Sequence, residues 1–166
     1  MNKDIDIDHI LRTFNAQRVR FLLIGGMNFS LQHHPQSTFD VDLWIDDTEA
    51  NRGACEQALA VLGAEWGRGD ADWGPTSEKS PGWLASQGVF SLNSPYGPID
   101  IFRTVKGLGD WEASFANAMA GGTAAGTEFY GLGDQDMLRC QLVLNAGEQK
   151  LDRIAFLKRK VGEANP

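Results

Sequence analysis

The sequence is poor in cysteine and in long apolar runs. Only Cys55 and Cys140 occur among 166 residues, and both lie in patterns typical of helices. We therefore expect buried free thiols, no disulfide framework and a reducing, cytoplasmic environment. No apolar run approaches the roughly 20 residues needed to cross a bilayer, and the acidic start MNKDIDIDHI does not have the order of a signal peptide. We expect no membrane association.

Basic residues are also scarce. Fifteen Lys and Arg residues stand against 22 Asp and Glu residues, which gives a net charge of −7 and a pI near 4.9. An extended nucleic-acid surface requires clustered basic residues, so the composition argues against one. It does not argue against a small anionic ligand held through a metal ion. The length is typical of one domain spanning residues 1–166, and 42% hydrophobic residues are enough for an ordinary core.

The hydrophobic pattern predicts a mixed α+β fold, with a core over about 1–105 and a helical part over about 108–166. It predicts helices over 4–17 (capped by Asp4, Asp6 or Asp8), 27–34, 48–62 (capped by Thr48), 110–120, 134–145 (capped by Asp134) and 150–161. It predicts strands over 20–24, 38–45, 89–92, 99–104 and 127–130, with the third and fourth forming a hairpin. The Trp-rich segment 64–88 shows no sustained period, although short strands are expected around 65–66 and 83–84.

Two acids stand close together in the second predicted strand. Asp40 and Asp42 are two residues apart, so their side chains project from the same face of the sheet. Neighbouring carboxylates in an apolar strand repel each other and are costly to remove from water, and a divalent cation offsets both costs. Asp100 lies on a separate strand that can run beside the first. Three such acids can hold one or two Mg²⁺ ions. The alternative is an edge strand with its polar face in water.

The glycine doublet Gly25-Gly26 ends the first predicted strand and precedes a helix. Backbone N–H groups at such a turn can bind an anion, although a tight turn with no ligand remains the alternative. His33 and His34 follow in the segment before the acids. They can contact a substrate or metal, or simply form a polar helix end.

This order of features resembles the DNA polymerase beta-like nucleotidyltransferase superfamily, and above all its small stand-alone bacterial and archaeal members. The resemblance rests on Gly25-Gly26, a gap of thirteen residues, Asp40-Val41-Asp42, and a third acid on a later strand. Thr38 matches the family's usual threonine two residues before the first acid. The stretch 132–157 resembles the family's C-terminal helices, and Asp152 matches a recurrent acid there.

The resemblance implies a mixed sheet flanked by helices, and transfer of a nucleotidyl group from an NTP to a hydroxyl-type acceptor. It implies that Asp40 and Asp42 ligate Mg²⁺ or Mn²⁺, and that Asp100 ligates one ion and helps to deprotonate the acceptor. It further implies a binding site for the NTP triphosphate, formed by Gly25, Gly26, Ser30 and Thr38. By analogy with toxin–antitoxin-like pairs, it also implies a protein partner.

Two positions depart from the family's pattern. Gln36 stands where relatives often have Arg, and Gln141 where they often have Lys. Arg103, Lys106 or Arg139 are candidates to replace the lost charge. The alternative function is therefore a catalytically degenerate member that acts as a binding or regulatory partner. The acceptor is left open between a protein hydroxyl, a tRNA end and a small molecule such as an aminoglycoside, with the acidic charge mildly disfavouring RNA.

Overall fold

A six-stranded mixed sheet forms the centre of the structure, a computed structural model that describes residues 5–164. Its strands run in the order β5-β6-β2-β1-β8-β7. The strands are β1 (Phe21–Ile24), β2 (Val41–Ile45), β5 (Val89–Leu92), β6 (Ile99–Phe102), β7 (Met119–Gly122) and β8 (Glu128–Gly131). A separate two-stranded ladder joins β3 (Glu65–Trp66) to β4 (Gly74–Pro75). The prediction of a mixed α+β fold is confirmed.

Six α-helices accompany the sheet in the described part of the chain. They are α1 (Ile7–Ala16), α2 (Gly25–Gln32), α3 (Glu49–Val61), α4 (Trp111–Phe115), α5 (Asp134–Leu142) and α6 (Leu151–Ala164). Asp6 caps α1 by accepting a hydrogen bond from the His9 N–H, and Thr48 caps α3 in the same way, as predicted. Of the other two predicted caps, Asp8 lies in the first turn of α1 and Asp4 lies outside the described residues.

Three local predictions are wrong. The helix expected over 110–120 ends at Phe115, because Met119–Gly122 pairs with β8 as an edge strand. Trp83–Ala85 forms a 3₁₀ turn rather than a strand, after Gly82 adopts a φ of 93° that reverses the chain. Asp134 is the first residue of α5, and Gly133 occupies the cap position. The predicted hairpin of β5 with β6 is confirmed.

Alternate residues of β1 serve two apolar layers. Phe21 and Leu23 face a cluster with α1 and α3, whereas Leu22 and Ile24 face a second cluster with α2, α5 and α6. A strand that is buried on both faces belongs in the middle of the sheet, where β1 lies. Trp66 and Trp83 are buried and stack at 5.2 Å between ring centroids in the first cluster. Along residues 5–164, no helix combines the length and apolarity that crossing a membrane requires.

Candidate functional site

Strand register brings the three predicted acids together at one edge of the sheet. β2 and β6 are parallel neighbours, and Asp42 lies directly beside Asp100. Asp40 immediately precedes β2 and projects to the same side. One carboxylate oxygen from each acid can be chosen so that all three lie within 4.8 Å of one another. Side chains 60 residues apart in sequence thus form one cluster.

The cluster carries more negative charge than its surroundings stabilise. Burial, together with the charges of Asp40 and Asp100, raises the pKa of Asp42 to about 8. Burial and the charge of Asp40 raise the pKa of Asp100 to about 6, against a lowering by a hydrogen bond from Ser91. The Asp42 Oδ1 atom is buried, and none of residues 5–164 gives it a hydrogen bond.

These observations fit a divalent cation. Carboxylate oxygens are the ligands that Mg²⁺ and Mn²⁺ prefer, and a bound cation would satisfy the orphaned oxygen and relieve the repulsion. The donor set contains no thiolate or imidazole, so it is hard in character. The three acids are therefore candidate metal ligands.

Gly25 is required by the geometry beside Asp42. The antiparallel register of β1 with β2 places Ile24 opposite Asp42, so the glycine doublet follows at the acids. Gly25 has a φ of 71°, and a Cβ atom there would lie 2.5 Å from the Asp42 Oδ2 atom. α2 begins at this residue rather than at Met27, and Ile24 offers no side-chain cap. The first N–H groups of α2 therefore have no acceptor within the helix and are available to an anion.

Thr38 and Ser30 border the same region in different ways. A Cβ atom on Gly26 would lie 3.3 Å from the Thr38 hydroxyl oxygen, and Thr38 donates a hydrogen bond to the Asp40 carbonyl at 3.2 Å. The Ser30 hydroxyl is engaged by the backbone of Gln36, from whose N–H it accepts at 3.1 Å and to whose carbonyl it donates at 3.3 Å. Thr38 thus touches the glycine doublet, while Ser30 holds the loop before β2.

Arg153 is a site residue that the sequence pattern does not single out. Its Nε and Nη2 groups both donate to the Gln36 Oε1 atom, at 3.3 and 3.1 Å, and Nη2 would lie 3.3 Å from a Cβ atom on Gly26. The helical pattern of 150–161 predicts only that Arg153 lies on a helix. Arg153 lies beside Gln36 and Gly26, which precede it by 117 and 127 positions. This proximity depends on how α6 packs, which the local spacing of residues does not predict.

The basic residues proposed from sequence to replace the missing charge are engaged elsewhere or exposed. Arg103 donates to Asp47 at 2.8 Å, and Arg139 donates to Asp136 at 3.2 Å. Lys106 is exposed. Gln141, the second departure from the family's pattern, is buried and accepts a hydrogen bond from the Lys150 N–H at 2.8 Å, which fixes the start of α6.

Two cavities flank the sheet at opposite ends of β1. A pocket of about 480 Å³ adjoins the glycine doublet through Arg153; it is lined by Gln36, Ser37, Gln149, Lys150, Leu151, Asp152 and Arg153. A larger cavity of about 700 Å³ lies at the start of β1, where Arg20 packs over Trp111. None of the three clustered acids lines either cavity, so cavity size does not mark the reaction site.

His33 has a structural environment. Its Nε2 atom lies 2.6 Å from the Asp134 Oδ1 atom at the start of α5. Its ring lies 5.3 Å from Phe29 and 4.8 Å from Phe156, measured between centroids. These contacts join the end of α2 to α5 and α6, so the His33 side chain packs between helices.

The six-stranded mixed sheet and its helices match the fold of solved nucleotidyltransferase structures. ANT(2")-Ia, in a complex with adenylyl-2"-tobramycin, superposes with a TM-score of 0.60 at 14% identity, covering 95% of this chain and 88% of that one. A candidate nucleotidyltransferase from Thermotoga maritima gives a TM-score of 0.52 at 14% identity, with coverages of 93% and 89%. No family model and no curated protein matches the sequence. At this identity the likeness is one of fold.

Proposed function

We propose that the protein is a metal-dependent nucleotidyltransferase that moves a nucleotidyl group from an NTP to a hydroxyl-type acceptor. The observation that carries the proposal is the cluster of Asp40, Asp42 and Asp100 beside the glycine turn. Within it, Asp42 has a raised pKa and a buried carboxylate oxygen that accepts no hydrogen bond from the described residues. Its location on a fold shared with nucleotidyltransferases supports the assignment. We also propose that residues 1–166 act as one catalytic domain.

The acids divide the work according to their positions. Asp42 on β2 and Asp40 immediately before it would hold Mg²⁺ or Mn²⁺, and Asp100 would add a ligand from the neighbouring strand β6. The bound ions would neutralise the phosphates and stabilise charge on the leaving diphosphate. The high pKa of Asp42 marks how strongly this site favours any added positive charge, whether a proton or a cation.

Asp100 is the candidate base. Its carboxylate would take the proton of the acceptor hydroxyl as the acceptor oxygen forms a bond to the α-phosphorus. The bond from that phosphorus to the bridging oxygen breaks, and diphosphate leaves with the electron pair. Alignment of the attacking and leaving oxygens supplies most of the remaining rate enhancement in such transfers.

The glycine doublet and its neighbours are proposed to receive the triphosphate. Gly25 and Gly26 leave room for phosphate oxygens against the first N–H groups of α2. Thr38 would orient the backbone before β2 through its bond to the Asp40 carbonyl. Ser30 would act by holding the Gln36 segment in place.

A solved structure with the same fold supports a proposal for the class of acceptor. The ANT(2")-Ia structure contains an adenylyl group on the 2" position of tobramycin, which is a small cationic molecule with hydroxyl groups. The net charge of −7 suits a cationic acceptor better than RNA. We therefore place small polycationic alcohols first, and protein hydroxyls second.

Calorimetric titration with ATP tests the proposal. In Mg²⁺ or Mn²⁺ the wild type should bind ATP, and EDTA or Asp40→Ala should abolish binding because the acids no longer hold the cation. An exposed acid provides the matched control, Asp70→Asn, which should bind as the wild type does. If no NTP binds and Asp42→Ala changes nothing, the protein is instead a degenerate member that acts by binding a partner.

A further inference from the structure

Arg153 is a buried cation that forms no salt bridge among residues 5–164; burial lowers its pKa, and the more distant charge of Asp42 raises it in part. Its residue is 9% exposed, and its guanidinium packs 5.2 Å from the Phe29 ring centroid. Among residues 5–164, no carboxylate oxygen comes within 4.0 Å of its guanidinium nitrogens, and its hydrogen bonds go to the neutral amide of Gln36. Buried charges in proteins are nearly always paired, so this guanidinium has capacity for an anion.

The position of Arg153 shows which anion it can reach. Its Nη2 atom lies on the Gly26 side of the doublet, while the Asp42 carboxylate lies against Gly25. Arg153 and Lys150 line the pocket of about 480 Å³ with Ser37 between α6 and the loop before β2. Asp152 lines it too, and Arg153 is the lining cation that the structure places beside the doublet. An anion that extends from the acids across Gly25-Gly26 would therefore come close to the Arg153 guanidinium.

We propose that Arg153, assisted by Lys150, is the subsite for the terminal phosphates of the NTP, and that Gln36 positions it. The inference rests on the proposed function, since it assumes that the α-phosphate lies at the acids. A guanidinium can bind phosphate oxygens through two parallel hydrogen bonds. Gln36 orients the Arg153 guanidinium through one amide oxygen and does not neutralise its positive charge. A glutamate at position 36 would neutralise it.

Calorimetry with ATP, AMP and inorganic triphosphate in Mn²⁺ separates this role from a structural one. Arg153→Gln should weaken binding of ATP and triphosphate about 10- to 100-fold and leave AMP binding unchanged, because one charged bidentate contact is lost. Gln36→Glu is the matched variant of equal size. It should form an ion pair with Arg153, keep or raise the Tm, and still weaken ATP binding by a similar factor.

Two more variants control for charge and for folding. Lys158→Gln removes an exposed cation from the same helix and should bind ATP as the wild type does. The exchange Gln36→Arg with Arg153→Gln returns a guanidinium to the same contact and should restore ATP binding to within about threefold, since the two side chains already touch. Circular dichroism and the Tm of each variant report whether it is folded.

The possible results distinguish the two proposals. If the wild type binds ATP with metal and Arg153→Gln binds it equally well, or loses ATP and AMP equally, the inference is overturned and the proposed function stands. If the wild type binds inorganic triphosphate through Arg153 but no nucleotide, the anion subsite stands and the nucleotidyltransferase proposal falls. If the wild type binds none of the three, both are overturned.

Discussion

At the scale of single residues, Asp42 links stability to pH. The folded protein holds the Asp42 proton up to a pH of about 8, whereas an ordinary aspartate releases it near 3.8. The folded state therefore binds more protons over this window, and the free energy of unfolding falls as pH rises through it. Asp100 adds to the fall up to a pH of about 6. The stabilisation from both groups is complete below a pH of 3.8 and is lost above a pH of about 8.

We expect Asp42→Asn to flatten this dependence. In EDTA the Tm of the wild type should fall from pH 5 to pH 8, and the variant should fall less and be more stable at pH 8 by about 1–3 kcal/mol. Thermal melts across this range measure the effect, with Asp70→Asn as the control. A variant that is less stable than the wild type at pH 8 in EDTA would contradict the account.

Gly25 yields a second prediction at this scale. Gly25→Ala places a side chain at a φ of 71° and 2.5 Å from the Asp42 Oδ2 atom. We expect a loss of about 1–3 kcal/mol in the free energy of unfolding and at least tenfold weaker Mn²⁺ binding, since Asp42 must move. Denaturant melts and calorimetry measure these changes.

Gly53→Ala provides the comparison for Gly25→Ala. Gly53 lies in α3 with no atom within 4 Å of a Cβ atom placed on it, so the alanine should stabilise by up to about 1 kcal/mol. Unchanged metal binding in Gly25→Ala would show that the doublet is only a turn.

Residues that are adjacent in a pattern could be predicted from sequence, and residues joined by packing could not. The spacing of Asp40 and Asp42 fixes a common face, and Asp100 follows once two strands are paired. Arg153 lies beside Gly26, 127 positions earlier, because α6 packs against α2 with the Arg153 guanidinium over the Phe29 ring. The sequence shows that Arg103 and Arg139 are charged, but it does not show how far their side chains lie from the site. For this reason the sequence alone makes both residues candidates.

At the scale of secondary structure, strand pairing overrides local periodicity. The apolar spacing of 110–120 predicts one helix, yet Met119–Gly122 pairs with β8 and ends the sheet. Gly121 and Gly122 weaken a helix there, and Phe129 packs where a Cβ atom on Gly121 would lie, at 2.6 Å. The helices with clear caps, α1 and α3, agree closely with the prediction because capping is a local signal.

The segment 64–88 is anchored by specific contacts despite its lack of periodicity. The Glu56 carboxylate of α3 accepts hydrogen bonds from the N–H groups of Gly82 and Leu84, both at 3.0 Å. Arg103 donates to the carbonyls of Ala85 and Gln87, both at 3.0 Å. Order here depends on side chains from distant elements, which is why no period in the sequence reveals it.

Glu56→Ala should therefore loosen one part of this segment. Removing a charged acceptor from two backbone donors should cost about 1–3 kcal/mol and accelerate amide exchange at Gly82 and Leu84. Hydrogen exchange followed by NMR measures both effects. Gln57→Ala, an exposed change on the same helix, should leave both amides protected. If the Gly82 and Leu84 amides of Glu56→Ala are as protected from exchange as in the wild type, the turn at Gly82 does not depend on Glu56.

At the scale of the whole molecule, the net charge bears on the proposed choice of acceptor. The net charge of −7 attracts cations and repels nucleic acid over a Debye length of about 8–10 Å at ordinary ionic strength. Cations bound at the cluster would offset this field only locally. A cationic acceptor is thus drawn toward the protein before it makes any contact with the site.

Incubation with α-labelled ATP and Mg²⁺ tests the acceptor directly. We expect label on a polycationic aminoglycoside such as tobramycin, less on lysate proteins and none on tRNA. The KM for the cationic acceptor should rise severalfold between 50 and 300 mM salt, because screening removes the attraction, while kcat stays nearly constant. Asp40→Ala should label nothing. Label on tRNA, or a KM that does not respond to salt, would show that local contacts rather than net charge select the acceptor.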